Sequence, residues 1–165
     1  MNNTEIERKF LVQGDFRPFV RESVPMEQGY LCPISGRTVR VRRAGDRGWI
    51  TVKGPAPEGS IARFEWEKEI GAADAEQLLA LCGSERIVKT RHLVPAGDGV
   101  HTWEVDEFHG LNEGLVVAEI ELRSEDDAFP SPAWLGREVT GERRYHNSVL
   151  LRCPYKDWED KDKQI

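Results

Sequence analysis

Near the amino terminus, Glu5-Ile6-Glu7-Arg8-Lys9-Phe10 alternates charged with apolar side chains. In an extended chain the period of two puts Glu5, Glu7 and Lys9 on one face and Ile6 and Phe10 on the other, with Arg8 between them. Carboxylates and an ammonium spaced ~7 Å apart along one face can hold a divalent cation and touch a phosphate. Any solvated strand face alternates in the same way, so this segment alone decides nothing. What carries weight is how often the pattern returns.

It returns in Arg40-Val41-Arg42, in Lys53 at the end of Trp49-Ile50-Thr51-Val52-Lys53, and in Arg63-Phe64-Glu65-Trp66-Glu67. It returns again in Lys89-Thr90-Arg91, Glu104-Val105-Asp106 and Glu119-Ile120-Glu121. Each of these segments reads as a strand with one charged and one apolar face. Between them, Gly14 to Pro25 reads as a connection and Gln28-Gly29-Tyr30-Leu31 as a short extended piece ended by Pro33 and Gly36. Gly45-Asp46-Arg47-Gly48 reads as a turn. A helix is predicted over Ala73 to Cys82, stopped by Gly83. A capping-box start at Ser124-Glu125-Asp126-Asp127 predicts a helix cut short by Pro130 and Pro132, and a last helix is predicted from about Glu142 to Leu151. Trp49, Trp66 and Trp103 read as core packing, and the residues after Pro154 as a solvated charged tail.

The 165-residue chain carries 39% hydrophobic and 32% charged residues, a composition for one globular domain unusually rich in charge. We place that domain at 1–154 and the charged tail at 155–165. A net charge of −6 argues against a nucleic-acid partner. Cys32, Cys82 and Cys153 have neither metal-ligand nor disulfide spacing, which fits a reducing cytoplasm. The start Met1-Asn2-Asn3-Thr4 is not a signal peptide, and no apolar run approaches the ~18 residues of a membrane span. A GxxxxGK[ST] phosphate loop is absent. His92, His101, His109 and His146 show no ligand spacing and receive no role.

Two architectures fit the recurring pattern. One is an open antiparallel sheet with a wet face and a helix-covered face. The other is a closed antiparallel barrel whose lumen carries both signs of charge. Ion pairing for stability alone is a weak reason to bury so many charges, because desolvation offsets much of the attraction.

In this order, Glu5-Ile6-Glu7-Arg8-Lys9 resembles the ExExK signature of the CYTH superfamily, the triphosphate tunnel metalloenzymes. The likeness runs through Gln28-Gly29-Tyr30-Leu31, Arg40-Val41-Arg42, Thr51-Val52-Lys53-Gly54 and the later charged strands, over roughly residues 4 to 150. It implies a mainly β, α+β fold: an eight-stranded antiparallel closed β-barrel with helices packed outside, binding triphosphate with Mg²⁺ or Mn²⁺. Among family members the chain looks most like the small bacterial inorganic triphosphatases, which cleave tripolyphosphate to pyrophosphate and phosphate. Class IV adenylate cyclases and thiamine or nucleoside triphosphatases share the signature, and a polyphosphate-binding module is the non-enzymatic alternative.

On that likeness Glu5, Glu7, Asp106, Glu119 and Glu121 are the candidate metal ligands, with Glu65, Glu67 and Glu104 as further acids that can instead brace neighbouring bases. Lys9, Arg40, Arg42, Lys53, Arg63, Lys89 and Arg91 would grip the phosphates. Tyr30 is placed to hydrogen-bond Lys9, a pair able to relay the proton of the attacking water if Lys9 titrates low. Arg143 or Arg144 is a candidate for a tunnel mouth, against a solvated helix face. The partner is a small polyanion, with no membrane involved.

Overall fold

A computed structural model describes residues 3–34 and 37–163. Met1, Asn2, Ser35, Gly36 and the last two tail positions, 164–165, lie outside the described residues. Strands β1 (Thr4–Val12), β2 (Glu22–Ile34), β3 (Arg37–Ala44), β4 (Arg47–Lys53) and β5 (Ala62–Gly71) precede helix α1 (Ala72–Leu81). Strands β6 (Ile87–Pro95), β7 (Thr102–Phe108), β8 (Val116–Glu121) and β9 (Leu135–Glu138) follow, then a short helix α2 (Asn147–Leu150).

The sheet runs β5-β4-β3-β2-β6-β7-β8-β1, antiparallel throughout, and β1 also pairs with β5, which closes an eight-stranded barrel. Closure uses a short seam, Thr4 to Ile6 against Phe64 to Ala62, and β9 adds an extra strand beside β1. A closed barrel leaves no open sheet to be wetted on one side, which decides between the two architectures. The alternating charges face inward.

The outer faces are apolar and are covered in two places. Phe10, Trp103, Ile120 and Trp134 form one cluster with Phe16 from the β1–β2 connection. On the far side α1 lays Ala75 and Leu79 on Val41. It lies close because Gly48 has no side chain: a Cβ there would come within 2.4 Å of the Ala75 Cβ. The β3–β4 hairpin turns through Gly45 and Asp46 alone, with Gly45 at φ +60°, a left-handed conformation glycine adopts without strain.

Several sequence expectations are corrected here. β2 begins at Glu22 and runs through both prolines, rather than being a connection to Pro25 and a short piece after it. Pro25 pairs only towards β6 and Pro33 only towards β3, edge-like positions that tolerate a missing N–H. No helix follows Ser124; residues 124–127 form a turn. The last helix shrinks to a 3₁₀ turn, Arg143–Tyr145, followed by α2. The segment after Pro154 is not simply solvated. Tyr155 and Trp158 are buried with Tyr145 and Leu150 against Ile87, Phe108, Leu115 and Val117. The Trp158 indole N–H donates to the Cys153 carbonyl at 3.1 Å, and Tyr155 N–H to Asn112 Oδ1 at 2.8 Å. No helix among the described residues is long and apolar enough to cross a membrane.

Candidate active site

The barrel encloses a cavity of about 790 Å³ whose wall is built strand by strand from every second residue. β1 supplies Glu5, Glu7 and Lys9, β2 supplies Tyr30, and β3 supplies Thr38, Arg40 and Arg42. Lys53 comes from β4, and Arg63, Glu65 and Glu67 from β5. Arg91 on β6, Glu104 on β7, and Glu119 and Glu121 on β8 complete the ring. The C-terminal segment closes part of it with Arg143, His146, Asn147 and Arg152. Its apolar face is the one held by Trp158, so the same packing that buries the tail positions this wall.

Acids and bases interlock across the lumen. Lys53 Nζ lies 2.7 Å from Glu5 and 2.6 Å from Glu65. Arg63 donates to Glu5 at 2.7 Å and to Glu7 at 2.8 Å, while Lys9 Nζ contacts Glu119 at 2.8 Å. Arg40 donates to Thr51, whose hydroxyl donates to Glu67 at 2.6 Å. Burial lowers the pKa of the Lys9 ammonium, but Glu119 and Glu7 outweigh it and leave the pKa raised. Glu119 is held well below the usual carboxylate range: burial works against it, but Lys9, Arg91 and Lys89 prevail.

Two residues stand apart from this balance. Arg42 is brought down to about 10, first by burial and then by Arg40 and Arg91 beside it. Glu121 is pushed up by burial and then by Glu5, Glu104, Glu65 and Glu7, and it makes no ion pair among the described residues. Arg42 thus has two cations close by, and Glu121 four carboxylates. Such a wall suits a polyanion bridged by a cation.

Most of the residues picked from the sequence converge on the cavity; Lys89 and Asp106 do not line it. Both are almost wholly buried, Lys89 Nζ against Asp106 Oδ2, while Arg91 grips the same carboxylate with Nε and Nη2 at 2.7 Å. Burial and Arg91 hold the Lys89 pKa down to about 8, against Asp106. Asp106 thereby holds Arg91, whose Nη1 also donates to Glu104 and whose Nη2 reaches Glu119 at 3.2 Å. The expected Lys9–Tyr30 hydrogen bond is also corrected: Tyr30 Oη accepts from Gln28 Nε2 at 3.2 Å, and Lys9 is committed to Glu119. Against burial, Glu119 and Glu7 raise the Lys9 pKa, the opposite of the lowering that a relay through Lys9 needs.

His146, given no role from the sequence, lines the cavity, and its pKa is lowered to about 4 by burial and then by Lys9 and Arg63. Arg143 reaches the cavity, whereas Arg144 lies over the Trp158 ring and pairs with Asp162. The residues missed, His146, Asn147 and Arg152, come from an irregular segment with no strand periodicity to expose them. Of the three tryptophans, Trp103 is fully buried. Trp66 is instead 40% exposed on the outer surface, and Trp49 stacks on arginines. Among the described residues no group of three or more His, Cys, Asp or Glu side chains is set to hold a metal ion, because most lumen carboxylates point at Lys or Arg.

A closed antiparallel barrel with opposed acids and bases on its inner wall defines a charged-tunnel domain, and the chain belongs to the CYTH family. The CYTH domain pattern matches residues 3–150. The chain is 46% identical over 157 residues to the inorganic triphosphatase of Acetivibrio thermocellus, covering 94% of this chain and 98% of that protein. It is 39% identical over 150 residues to the inorganic triphosphatase of Nitrosomonas europaea, covering 89% and 96%. A crystal structure of an inorganic triphosphatase aligns with a TM-score of 0.62 at 35% identity, covering 89% of this chain and 97% of that one.

Proposed function

We propose that this protein hydrolyses inorganic tripolyphosphate, water attacking a terminal phosphorus and splitting the anhydride into pyrophosphate and phosphate. The observation that carries the reading is one cavity lined by Lys9, Arg40, Arg42, Lys53 and Arg63 together with Glu5, Glu7, Glu119 and Glu121, in a chain whose relatives are named inorganic triphosphatases. Phosphoryl transfer needs mostly positioning and charge neutralisation. Arg40 and Arg42 present flat two-pronged donors to phosphate oxygens, and Lys9, Lys53, Arg63 and Arg91 exchange carboxylate partners for phosphate.

The donors are hard oxygens, which suit a divalent cation once Lys9, Lys53 and Arg63 turn from them to phosphate, and Glu121 lines the cavity with no ion pair among the described residues. Glu5, Glu7, Glu119 and Glu121 would hold it, with Glu65, Glu67 and Glu104 around them; Asp106 is spent on Arg91 and Lys89. Mg²⁺ or Mn²⁺ bound there supplies charge neutralisation and a more acidic bound water. The free thiols Cys32, Cys82 and Cys153 suit a reducing cytoplasm.

The test is phosphate release from tripolyphosphate with Mg²⁺ or Mn²⁺, abolished by EDTA. No release with either metal overturns the reading. Cyclic AMP and pyrophosphate from ATP in the same assay would move it to cyclase chemistry.

A further inference from the structure

Beyond the cavity, where β3 and β4 meet, an aromatic ring carries two guanidinium groups. Trp49 pairs in register with Arg42 on β3 and with Glu69 on β5, so all three share the inward face. The Arg42 Cζ lies 4.9 Å from the Trp49 ring centroid, and the Arg47 Cζ also lies 4.9 Å from it. Arg47 is itself fixed by a two-pronged bond to Glu69, Nε at 2.8 Å and Nη2 at 2.7 Å. Only Arg42 of this set reaches the cavity.

The carboxylate next to Arg42 holds it weakly. Glu67 lies 3.4 Å from Arg42 Nη2 and is shared with Thr51 and Arg40. Arg42 Nε is buried without a hydrogen-bond partner among the described residues. The Trp49 ring lies against the same guanidinium. An aromatic face attracts a guanidinium through its quadrupole and adds no net charge. A carboxylate in the same place would hold the side chain equally well but cancel the charge a phosphate needs.

We propose that Trp49 is a positioning residue of this site: its ring, set by the Arg47–Glu69 pair, aims the Arg42 guanidinium into the cavity with its charge left free for a phosphate oxygen. The proposal deepens the triphosphatase reading and rests on it for the identity of the anion.

Steady-state hydrolysis of tripolyphosphate tests it first. Trp49→Leu should raise KM about tenfold with kcat within about threefold, because the lost contact is made to bound substrate and transition state alike. Trp49→Phe, which keeps a ring face, should bring KM back to within about threefold of wild type. In an Arg42→Ala background Trp49→Leu should add nothing, since a residue acting through Arg42 is silent once Arg42 is gone. An equal KM rise in that background, or a Phe variant as impaired as the Leu variant, overturns the proposal.

The same cycle is read by calorimetric binding of tripolyphosphate with Mg²⁺. Coupled loss of binding in a protein that proves unable to hydrolyse sinks the triphosphatase reading and leaves this inference standing; a wild type that does not bind tripolyphosphate overturns both. Should Trp49→Leu not fold, fluorinated tryptophan at position 49 weakens the ring face without changing its shape. KM rising stepwise with fluorination supports the proposal, and a flat series overturns it.

Discussion

Glu5 and Glu121 share one inner wall under opposite conditions. Glu5 is held by Lys53 and Arg63, whereas Glu121 has Glu5, Glu104, Glu65 and Glu7 near it and no ion pair among the described residues. Removing each charge should therefore act with opposite sign on stability. Glu5→Gln should lower thermal stability by on the order of 2 kcal/mol, less than the ~3–5 for breaking a fully buried pair, since Lys53 keeps Glu65 and Arg63 keeps Glu7. Glu121→Gln relieves repulsion, so its melting temperature should match or exceed wild type, while its Mg²⁺ affinity by calorimetry falls about tenfold or more. A second expectation concerns Tyr30. Its hydroxyl accepts from Gln28, and Lys9 stays charged against Glu119, so Tyr30→Phe should keep turnover within about threefold. A hundredfold loss would restore the proton relay that the Gln-Gly-Tyr-Leu stretch suggested.

Among the elements, the turn between β6 and β7 is clasped to the 123–127 turn through one imidazole. His101 Nδ1 lies 2.6 Å from Asp98 Oδ2 and Nε2 lies 3.2 Å from Asp127 Oδ2, while Asp98 also accepts the Val100 and His101 N–H groups. The bond to Asp98 and then that to Asp127 raise the His101 pKa, and Arg123, paired with Asp127, is the nearby opposing cation. A histidine with a raised folded pKa contributes fully below its unfolded value of ~6.5 and loses that contribution as pH rises through the folded pKa. Thermal melts of wild type and His101→Gln should thus differ most near pH 5–6 and converge in alkaline buffer; a constant gap would mean the clasp is not ionic.

What the sequence disclosed also divides by element. Strands that carry a charge at every second position could be read directly, because period two at one face is local information. β2 could not, since two prolines argue against a strand and only its staggered neighbours make them harmless. The C-terminal wall was hidden for another reason. Tyr145, Tyr155 and Trp158 are buried by partners far along the chain, Ile87 and Phe108 among them, and no local pattern announces that. For the same reason His146 and Arg152 were missed as site residues and Trp49 was taken for core.

At the scale of the whole molecule, the lumen's cations and anions stand in for the two halves of its cargo. Glu5 occupies Lys53 and Arg63 as a phosphate would, and those bases occupy Glu5 as a metal would. Either component arriving alone must part these couples and leave one member stranded, whereas both together leave none. Linkage then demands mutual reinforcement: metal should tighten tripolyphosphate binding, and tripolyphosphate should tighten metal binding by the same factor. Calorimetric titrations run in both orders, on a variant too slow to turn over, would read that factor from each side. Equal affinities with and without the companion would show that the couples are not what the ligands displace.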